Sequence, residues 1–423
     1  MNPITTYQAT IGLDWADQKH DLWIHPADGA KPQHLQLEQT PEAIHQWVAQ
    51  LRERWGSGAV AIAVETSRGP ILSALRAYDF IVVYAVNPKG LKDYRAAFGV
   101  SGAKDDRTDA YLLEEMLRWH ADKLKPLRPD DELTRKLGGL TEARRGLVDQ
   151  RTEMVNQTHA TLKTYYPLAE RILGSEMNTL MAAEFLGRWP DLASLQAASS
   201  QSLRTFFYKH NCRSAKRIDQ RLQAIKEAEP LTTDSAIIEP ARALVLARAR
   251  MLKCLSQSIA ELEAQIQQAM DQHPDAPIFR SFPAAGPALA PRLLAAFGTQ
   301  RDRFEDADQV AQLYGIAPVV IQSGNSKVVR VRYRCPKFGR QTFHENAACA
   351  AKTELWAQSY YQRQRQRHQD KHHQACRALA YKLIRIYFAC WKNRTPYRSD
   401  TYLAALQKNG SSLYKEITQA PGE

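Results

Sequence analysis

Alternating apolar and polar residues open the chain and predict a sheet. Residues 7 to 25 alternate as two strands around a polar turn at 17 to 19, and residues 33 to 37 add a third strand. Continuous apolar runs at 59 to 64 and 80 to 86 predict two buried strands. Helices are predicted from Thr40-Pro41, over 70 to 78 and over 105 to 120, where apolar residues recur every three or four positions.

Helical spacing dominates the rest of the chain. Residues 133 to 166 and 241 to 273 predict a long antiparallel helical pair. The stretch between them, 167 to 240, holds short amphipathic pieces broken by Pro190 and Pro230, and we find no chemical motif in it. A tight turn at 282 to 287 precedes an apolar helix, and the last helices are predicted at 344 to 361 and 375 to 392. We expect those last helices to pack over the loop that holds Ser323.

These patterns predict an α/β plus α protein with three domains. Residues 1–128 have the element order of a ribonuclease-H-like mixed sheet with helices. Residues 129–275 form a helical coiled-coil region with a helical insertion at 167–240. Residues 276–423 form a mainly helical C-terminal domain with the serine loop and a basic surface. A chain of 423 residues with 44% hydrophobic content is long enough for two or three separate cores.

The composition indicates in which cellular compartment the protein is found. No apolar run approaches the length of a membrane-spanning helix, and the N-terminus lacks the pattern of a signal peptide. The six cysteines show no CxxC spacing, which argues against a disulfide framework and a zinc knuckle. We therefore expect a protein of a reducing cytoplasm with no membrane partner.

The basic charge is concentrated at the C-terminal end. Residues 1 to 120 contain 12 Lys or Arg and 15 Asp or Glu, whereas residues 321 to 423 contain 19 and 6. Such a basic segment with interleaved aromatic residues is typical of nucleic-acid binding, although a solvated basic surface is an alternative. The candidate phosphate-contacting residues follow Ser323 and are Lys327, Arg330, Arg332, Arg334, Lys337 and Arg340.

Four carboxylates are the strongest candidates for chemistry. Asp14 lies in an apolar strand, Glu65 closes another, and Asp106 and Asp109 are spaced to share one face of a helix. A carboxylate in an apolar strand is costly to bury unless a cation compensates it, and hard divalent ions prefer such oxygen ligands. The alternative is that these are exposed acids, with Asp105 or Asp106 capping the helix.

Several motifs together resemble a known family. Gly12-Leu13-Asp14-Trp15, Val64-Glu65-Thr66 and the segment 104 to 110 are similar to the three acidic motifs of the DEDD transposases, the insertion-sequence recombinases of the IS110 family. Segments 283 to 287, 314 to 324, 377 to 384 and 395 to 397 resemble the second domain and tail of that family.

The resemblance implies a specific chemistry. It implies a RuvC-like domain in which Asp14, Glu65, Asp106 and Asp109 bind Mg²⁺, with Mn²⁺ as a possible substitute. It further implies that Ser323 is a nucleophile that forms a covalent 5′-phosphoserine link with DNA. Its implied partners are donor and target DNA and a non-coding bridge RNA that pairs with both. It also implies dimers that join into a homotetramer at the bacterial nucleoid, with the acids of one subunit meeting the serine of another.

The residues leave alternatives open. Asp105 stands where the family has Thr, so it could assist or replace Asp106. Ser326 is a rival nucleophile, and Ser323 itself could be a turn residue that bonds its own backbone. No paired histidine marks a base for the serine. A junction-resolving nuclease that uses metal-activated water, and a non-catalytic nucleic-acid-binding scaffold, are therefore alternative hypotheses.

Overall fold

The computed structural model describes residues 7–66, 69–98, 105–324, 326–367 and 369–419. The chain divides into two compact units, Met1–Pro129 and Asp130–Glu423. Lys104 of the third acidic motif and Asn325 beside Ser323 lie outside the described residues.

The first unit is a five-stranded mixed sheet with helices. The strands are β1 (Ala9–Asp14), β2 (Lys19–Pro26), β3 (Gln33–Glu38), β4 (Val60–Val64) and β5 (Ile81–Ala85), and the helices are α1 (Pro41–Trp55), α2 (Pro70–Leu75), α3 (Pro88–Phe98) and α4 (Asp106–His120). The spatial order is β3-β2-β1-β4-β5. β1, β2 and β3 pair antiparallel, whereas β1, β4 and β5 pair parallel. The predicted α/β class and element order are confirmed, but α2 is shorter than predicted and α3 was not predicted.

The two faces of this sheet bury different residues. Ile11 and Leu13 of β1 join Ile62 and Val64 of β4 in the larger core, which also contains buried residues of α1. On the opposite face, alanines of β4 pack with leucines of α4 in a smaller core. The predicted start of α1 is confirmed, because the Thr40 hydroxyl accepts a hydrogen bond from the Ala43 amide at 3.2 Å.

Two long helices form the frame of the second unit. These long helices are α5 (Glu132–Tyr165) and α11 (Ser235–Gln272). The helices between them are α6 (Pro167–Leu173), α7 (Leu180–Arg188), α8 (Leu192–Gln196), α9 (Ser200–Lys209) and α10 (Ala215–Glu227). α5 and α11 lie antiparallel, as predicted. The Thr134 hydroxyl lies 2.9 Å from His273 at one end, and Arg248 donates to the Gln157 carbonyl oxygen at 2.9 Å nearer the other.

The insertion has a core of its own. Helices α6 to α10 bury aromatic residues against one side of the α5 and α11 pair, including Phe185, Trp189, Phe206 and Phe207. The predicted all-helical character of this segment is confirmed. No helix within the described residues is long and apolar enough to cross a membrane.

The C-terminal part is helical apart from one hairpin. Its elements are α12 (Ala276–Arg280), α13 (Leu289–Phe297), α14 (Ala307–Leu313), β6 (Val319–Ser323), β7 (Ser326–Arg330), α15 (Lys337–Thr353), α16 (Leu355–Arg367), α17 (His372–Asn393), α18 (Ser399–Lys408) and α19 (Ser412–Gln419). Phe282 stacks on Tyr387 with 3.9 Å between ring centroids, in a core that also buries Trp391. The expectation that the last helices cover the serine loop is wrong, because the described hairpin residues from Val320 onward are solvent-exposed.

Candidate active site

The ends of two parallel strands place Asp14 beside Glu65. Leu13 of β1 is paired in register with Val64 of β4, so the next residue of each strand is an acid. Because parallel strands end at the same edge of a sheet, both carboxylates belong to that edge. Alternation places Asp14 on the face that carries α4, and Glu65 continues the same alternation after Ala63.

Helix α4 crosses β1 at Gly12. A Cβ atom at this position would lie only 1.8 Å from the Ala110 carbonyl oxygen, so the close approach requires glycine. Thr10 donates a hydrogen bond of 2.6 Å to Glu114 one turn further along the helix. β1 and α4 therefore run in opposite directions, and the first turn of α4, with Asp106 and Asp109, lies toward the Asp14 end of the strand.

The two acids of α4 differ in environment. Asp109 is 1% exposed, and its carboxylate accepts a hydrogen bond from the guanidinium of Arg95 on α3. Asp106 is exposed in the first turn. Asp105 occupies the N-cap position without a side-chain bond to the helix backbone, and its carboxylate accepts from the Thr108 hydroxyl at 3.1 Å. The alternative that Asp105 caps the helix through its side chain therefore has no support.

The acids of this region are of the residue type that hard divalent cations accept as ligands. They come from two strand ends and from the first turn of one helix. Within the described residues, however, no group of three or more His, Cys, Asp or Glu side chains is arranged as a metal site. The carboxylate of Asp109 instead accepts from the Arg95 guanidinium, which compensates its charge.

Sequence reasoning missed two residues of this region. Arg95 lies on the unpredicted helix α3, where Pro88 at the start and apolar Leu91 and Tyr94 were available signals. Glu114 is fully buried, and it accepts from the Arg118 Nε at 3.0 Å as well as from Thr10. Its Oε2 has no hydrogen-bond partner in the part of the chain that the structure describes. Through its hydrogen bond with Thr10, Glu114 holds α4 against β1.

Ser323 is the last residue of β6. It is paired in register with Ser326 of β7, with Gly324 at φ 54° in the turn. Directly opposed residues of an antiparallel pair point to the same face. Both hydroxyls consequently lie on one face of the hairpin tip, and the rival serine is the direct neighbour of Ser323.

The hairpin exposes apolar side chains. Val329 is 61% exposed and Val320 is 51% exposed, and they form a cross-strand pair on the face opposite Ser323. Ile321 and Val328 are also exposed and share the serine face. A two-stranded hairpin is marginally stable by itself, so this surface is suited to contact with another molecule.

Basic residues follow the hairpin. Lys327, Arg330, Arg334 and Lys337 are exposed, whereas Arg332 and Arg340 are partly buried. Burial and then the charges of Arg377, His373, Arg340 and His372 lower the pKa of His344 from 6.5 to about 4. His344 is therefore neutral near pH 7, and its surroundings carry a concentrated positive charge.

Two family models match this chain. The DEDD-domain transposase model of IS110 matches residues 11–167, and a transposase model of the IS116/IS110/IS902 family matches residues 276–362. The first range contains the four acids, and the second contains Ser323 and the six basic residues that follow it.

Relatives align along most of the chain. The putative transposase of the IS117 mini-circle from Streptomyces coelicolor is 29% identical over 408 residues, which cover 93% of this chain and 96% of that protein. A 43.6 kDa protein of insertion element IS110 from the same species is 27% identical, covering 92% and 95%. A 42 kDa protein of IS900 from Mycobacterium paratuberculosis is 27% identical, covering 71% and 75%.

The α/β unit with its acidic edge and the two matched domains define an insertion-sequence transposase, an enzyme that cleaves and recombines DNA. The chain belongs to the IS110 family of these transposases.

Proposed function

We propose that this transposase is a bridge-RNA-guided recombinase that cuts and rejoins DNA through Ser323, assisted by Mg²⁺ at Asp14, Glu65, Asp106 and Asp109. The observation that carries the proposal is the register of β1 and β4, which makes Asp14 and Glu65 neighbours. The strand order supports a ribonuclease-H-like, RuvC-like unit.

The four carboxylates are the proposed ligands of Mg²⁺, with Mn²⁺ as an alternative. Such ions, when bound, neutralise charge that develops on a phosphodiester. Asp14 and Glu65 would hold an ion from the sheet, and Asp106 and Asp109 from the first turn of α4. Gly12 and Glu114 act as positioning residues, because they fix the distance and direction of α4 over β1.

Ser323 is the proposed nucleophile of strand cleavage. Its Oγ attacks the phosphorus of a DNA phosphodiester, the bond from phosphorus to O3′ breaks, and the 5′ phosphate stays on the serine. The proton leaves Oγ for solvent, and the departing O3′ takes up a proton. In the rejoining step, the 3′ hydroxyl of another strand attacks the phosphoserine and releases Ser323.

The exposed hairpin supports an assembly in which Ser323 serves a second copy of the chain. Exposed valines and isoleucine on both faces of β6 and β7 are a surface that contact with another subunit would bury. We propose dimers that associate as a tetramer, with the acids of one subunit meeting the hairpin of another.

Base pairing with a bridge RNA is the proposed source of site selection. The exposed cations Lys327, Arg330, Arg334 and Lys337 are suited to phosphates, which carry no sequence information. Copurification of a structured RNA encoded beside the gene supports this part of the proposal. Protein that recombines DNA after all RNA is digested contradicts it.

Covalent protein–DNA adducts test the nucleophile. Wild type, Ser323→Ala and Ser326→Ala are incubated with donor and target DNA, guide RNA and Mg²⁺, and adducts are resolved on denaturing gels. We expect Ser323→Ala to lose adducts while retaining DNA binding, and Ser326→Ala to retain them. DNA cleavage without adducts in the wild type favours the resolvase alternative. If Asp14→Ala and Glu65→Ala both keep every function of the wild type, the result favours the alternative of a non-catalytic nucleic-acid-binding scaffold.

A mixing experiment tests the shared site. Ser323→Ala and Asp14→Ala proteins are each inactive if both residues are required. A mixture of the two is expected to regain adduct formation when acid and serine come from different subunits. A mixture as inactive as its components contradicts the shared arrangement, whereas the adduct test on single variants still decides the chemistry.

A further inference from the structure

The helical insertion contains a cavity of about 400 Å³. It lies in the stretch between the two segments that the family models match, which end at residue 167 and begin at residue 276. The cavity is formed by the start of α7, the loop between α9 and α10, and the first turns of α10. Its volume is within the roughly 300–1,000 Å³ of small-molecule pockets.

Arginines occupy one wall of this cavity. Arg213, Arg217 and Arg221 all line it. Arg217 and Arg221 are four residues apart on α10 and so share one side of that helix, whereas Arg213 lies in the loop before it. Across residues 201 to 226 the chain has seven Lys or Arg and a single acid, Asp219. The positive charge is thus local to this part of the insertion.

Two of these arginines are available to a ligand. Arg221 is engaged, because it pairs with Glu176 at 3.8 Å and lies over the Phe207 ring at 4.8 Å. Arg213 and Arg217 are exposed, and neither guanidinium has an ion-pair partner in the described part of the chain. Exposed arginines of this kind contact phosphate oxygens through two N–H groups at once.

Part of the lining is apolar. Met181 of α7 and Ile218 of α10 line the cavity and belong to the insertion core. Cys212 packs against that core, with its sulfur 3.6 Å from the Met181 sulfur. Glu176 also lines the cavity, and its charge is compensated by Arg221. A site in which arginines lie beside an apolar surface matches the two parts of a nucleotide, a phosphate and a base.

We propose that this cavity binds single-stranded nucleic acid, with a backbone phosphate against Arg213 and Arg217 and one unpaired base against the apolar lining at Cys212 and Met181. Duplex DNA does not present such a base, because its bases are stacked and paired. RNA and DNA strands share the required chemistry, and the experiment separates them. The proposal is independent of the role of Ser323.

Cys212 provides a local probe of occupancy. The full-length Ser323→Ala protein is alkylated in the presence of single-stranded RNA, single-stranded DNA or duplex DNA, and the rate at each cysteine is followed by peptide mass spectrometry. Saturation of each oligonucleotide is established by fluorescence anisotropy on the same samples. We expect a bound single strand to slow alkylation of Cys212 at least about fivefold. Cys254 on α11, which is exposed, is expected to keep its rate.

Variants assign the protection to the arginines. The double variant Arg213→Gln, Arg217→Gln is expected to lose the protection of Cys212. Its affinity for single strands is also expected to depend less steeply on salt concentration than that of the parent protein. Arg171→Gln is the matched control, since Arg171 is an exposed arginine of the same insertion that does not line the cavity. Each variant is compared with its own rate without oligonucleotide.

Any one of three results overturns the proposal. The first is that Cys212 reacts equally fast with and without a saturating single strand. The second is that protection survives in the double variant, and the third is that duplex DNA alone protects. Protection by RNA alone assigns the cavity to an RNA strand, and protection by DNA alone assigns it to a DNA strand. No strand cleavage is needed, so failure of the serine assignment leaves these outcomes unchanged.

Discussion

The buried carboxylate of Asp109 accepts a hydrogen bond from the guanidinium of Arg95, which joins the first turn of α4 to α3. This pair lies beside the edge where Asp14 and Glu65 meet. Asp109 therefore has a compensating cation in the structure and is also a proposed ligand of Mg²⁺. The two roles are coupled, and the coupling can be measured.

Arg95→Gln is expected to make the protein more dependent on Mg²⁺ for stability. Removing one partner of a buried ion pair leaves an uncompensated charge and costs about 3–5 kcal/mol. A bound cation restores compensation, so added Mg²⁺ should raise the thermal midpoint of Arg95→Gln more than that of the wild type. Arg52→Gln, which breaks a solvent-exposed ion pair with Asp79 at 3.5 Å, is the control. An equal Mg²⁺ response of Arg95→Gln and wild type contradicts the assignment of Asp109.

Gly12→Ala is expected to displace α4 and abolish adduct formation. The new Cβ would overlap the Ala110 carbonyl oxygen, and this backbone atom cannot move without the helix. The expected loss of unfolding free energy is about 1–3 kcal/mol, as for other overpacked sites. Gly90→Ala on α3 is the matched control, because among the described residues its Cβ would meet only the Asn87 Cβ, at 3.9 Å. Activity of Gly12→Ala equal to that of Gly90→Ala contradicts the positioning role.

Changing Val320 and Val329 together to Thr is expected to weaken assembly while leaving the fold intact. These residues are exposed on the hairpin face opposite Ser323, so the change removes apolar area from a contact rather than from a core. Sedimentation velocity at several concentrations measures the shift toward smaller species. Leu355→Thr changes another exposed apolar residue, at 57% exposure, and is expected to have no effect. Equal assembly of both variants removes the hairpin from the subunit contact.

His344 is expected to make stability fall as the solution becomes acidic. Burial first, and then Arg377, His373, Arg340 and His372, lower its pKa from 6.5 to about 4 in the folded protein. Between these values the unfolded chain binds a proton that the folded chain does not, so stability is complete above pH 6.5 and is lost toward pH 4. The loss at about pH 5.5 is on the order of 1 kcal/mol.

Urea unfolding of wild type and His344→Gln at about pH 7.5 and about pH 5.5 measures this contribution. The comparison is needed because burial also lowers the pKa of His20 and His273. The wild type is expected to lose more stability than His344→Gln over this interval. Identical losses contradict the assignment to His344.

Periodicity predicted the acidic edge because it depends on local order. Alternation of period two located β1, and a continuous apolar run located β4. Acids directly at the ends of two parallel strands must meet when those strands pair. The close crossing of α4 required only a glycine in a strand, which is itself a signal of backbone approach. The neighbourhood of Asp14 and Glu65 was therefore accessible from the sequence.

Other features depend on contacts that local patterns do not encode. The Arg95 contact joins residues of two helices, one of which was not predicted. The Val-rich hairpin has the composition of a buried strand pair, yet its side chains are exposed in the structure. The cavity of the insertion needs Glu176 and Met181 to approach α10, which follows from tertiary packing alone.

Identification of the residue that becomes linked to DNA decides whether Ser323 is the nucleophile. Wild-type protein is trapped on donor DNA with guide RNA and Mg²⁺, digested with protease and nuclease, and the phosphorylated peptide is fragmented by tandem mass spectrometry. We expect the 5′ phosphate on Ser323, and its loss when Asp14 or Glu65 is changed to Ala. A phosphate on Ser326, or efficient recombination with no DNA-linked serine, contradicts the assignment of Ser323 as the nucleophile.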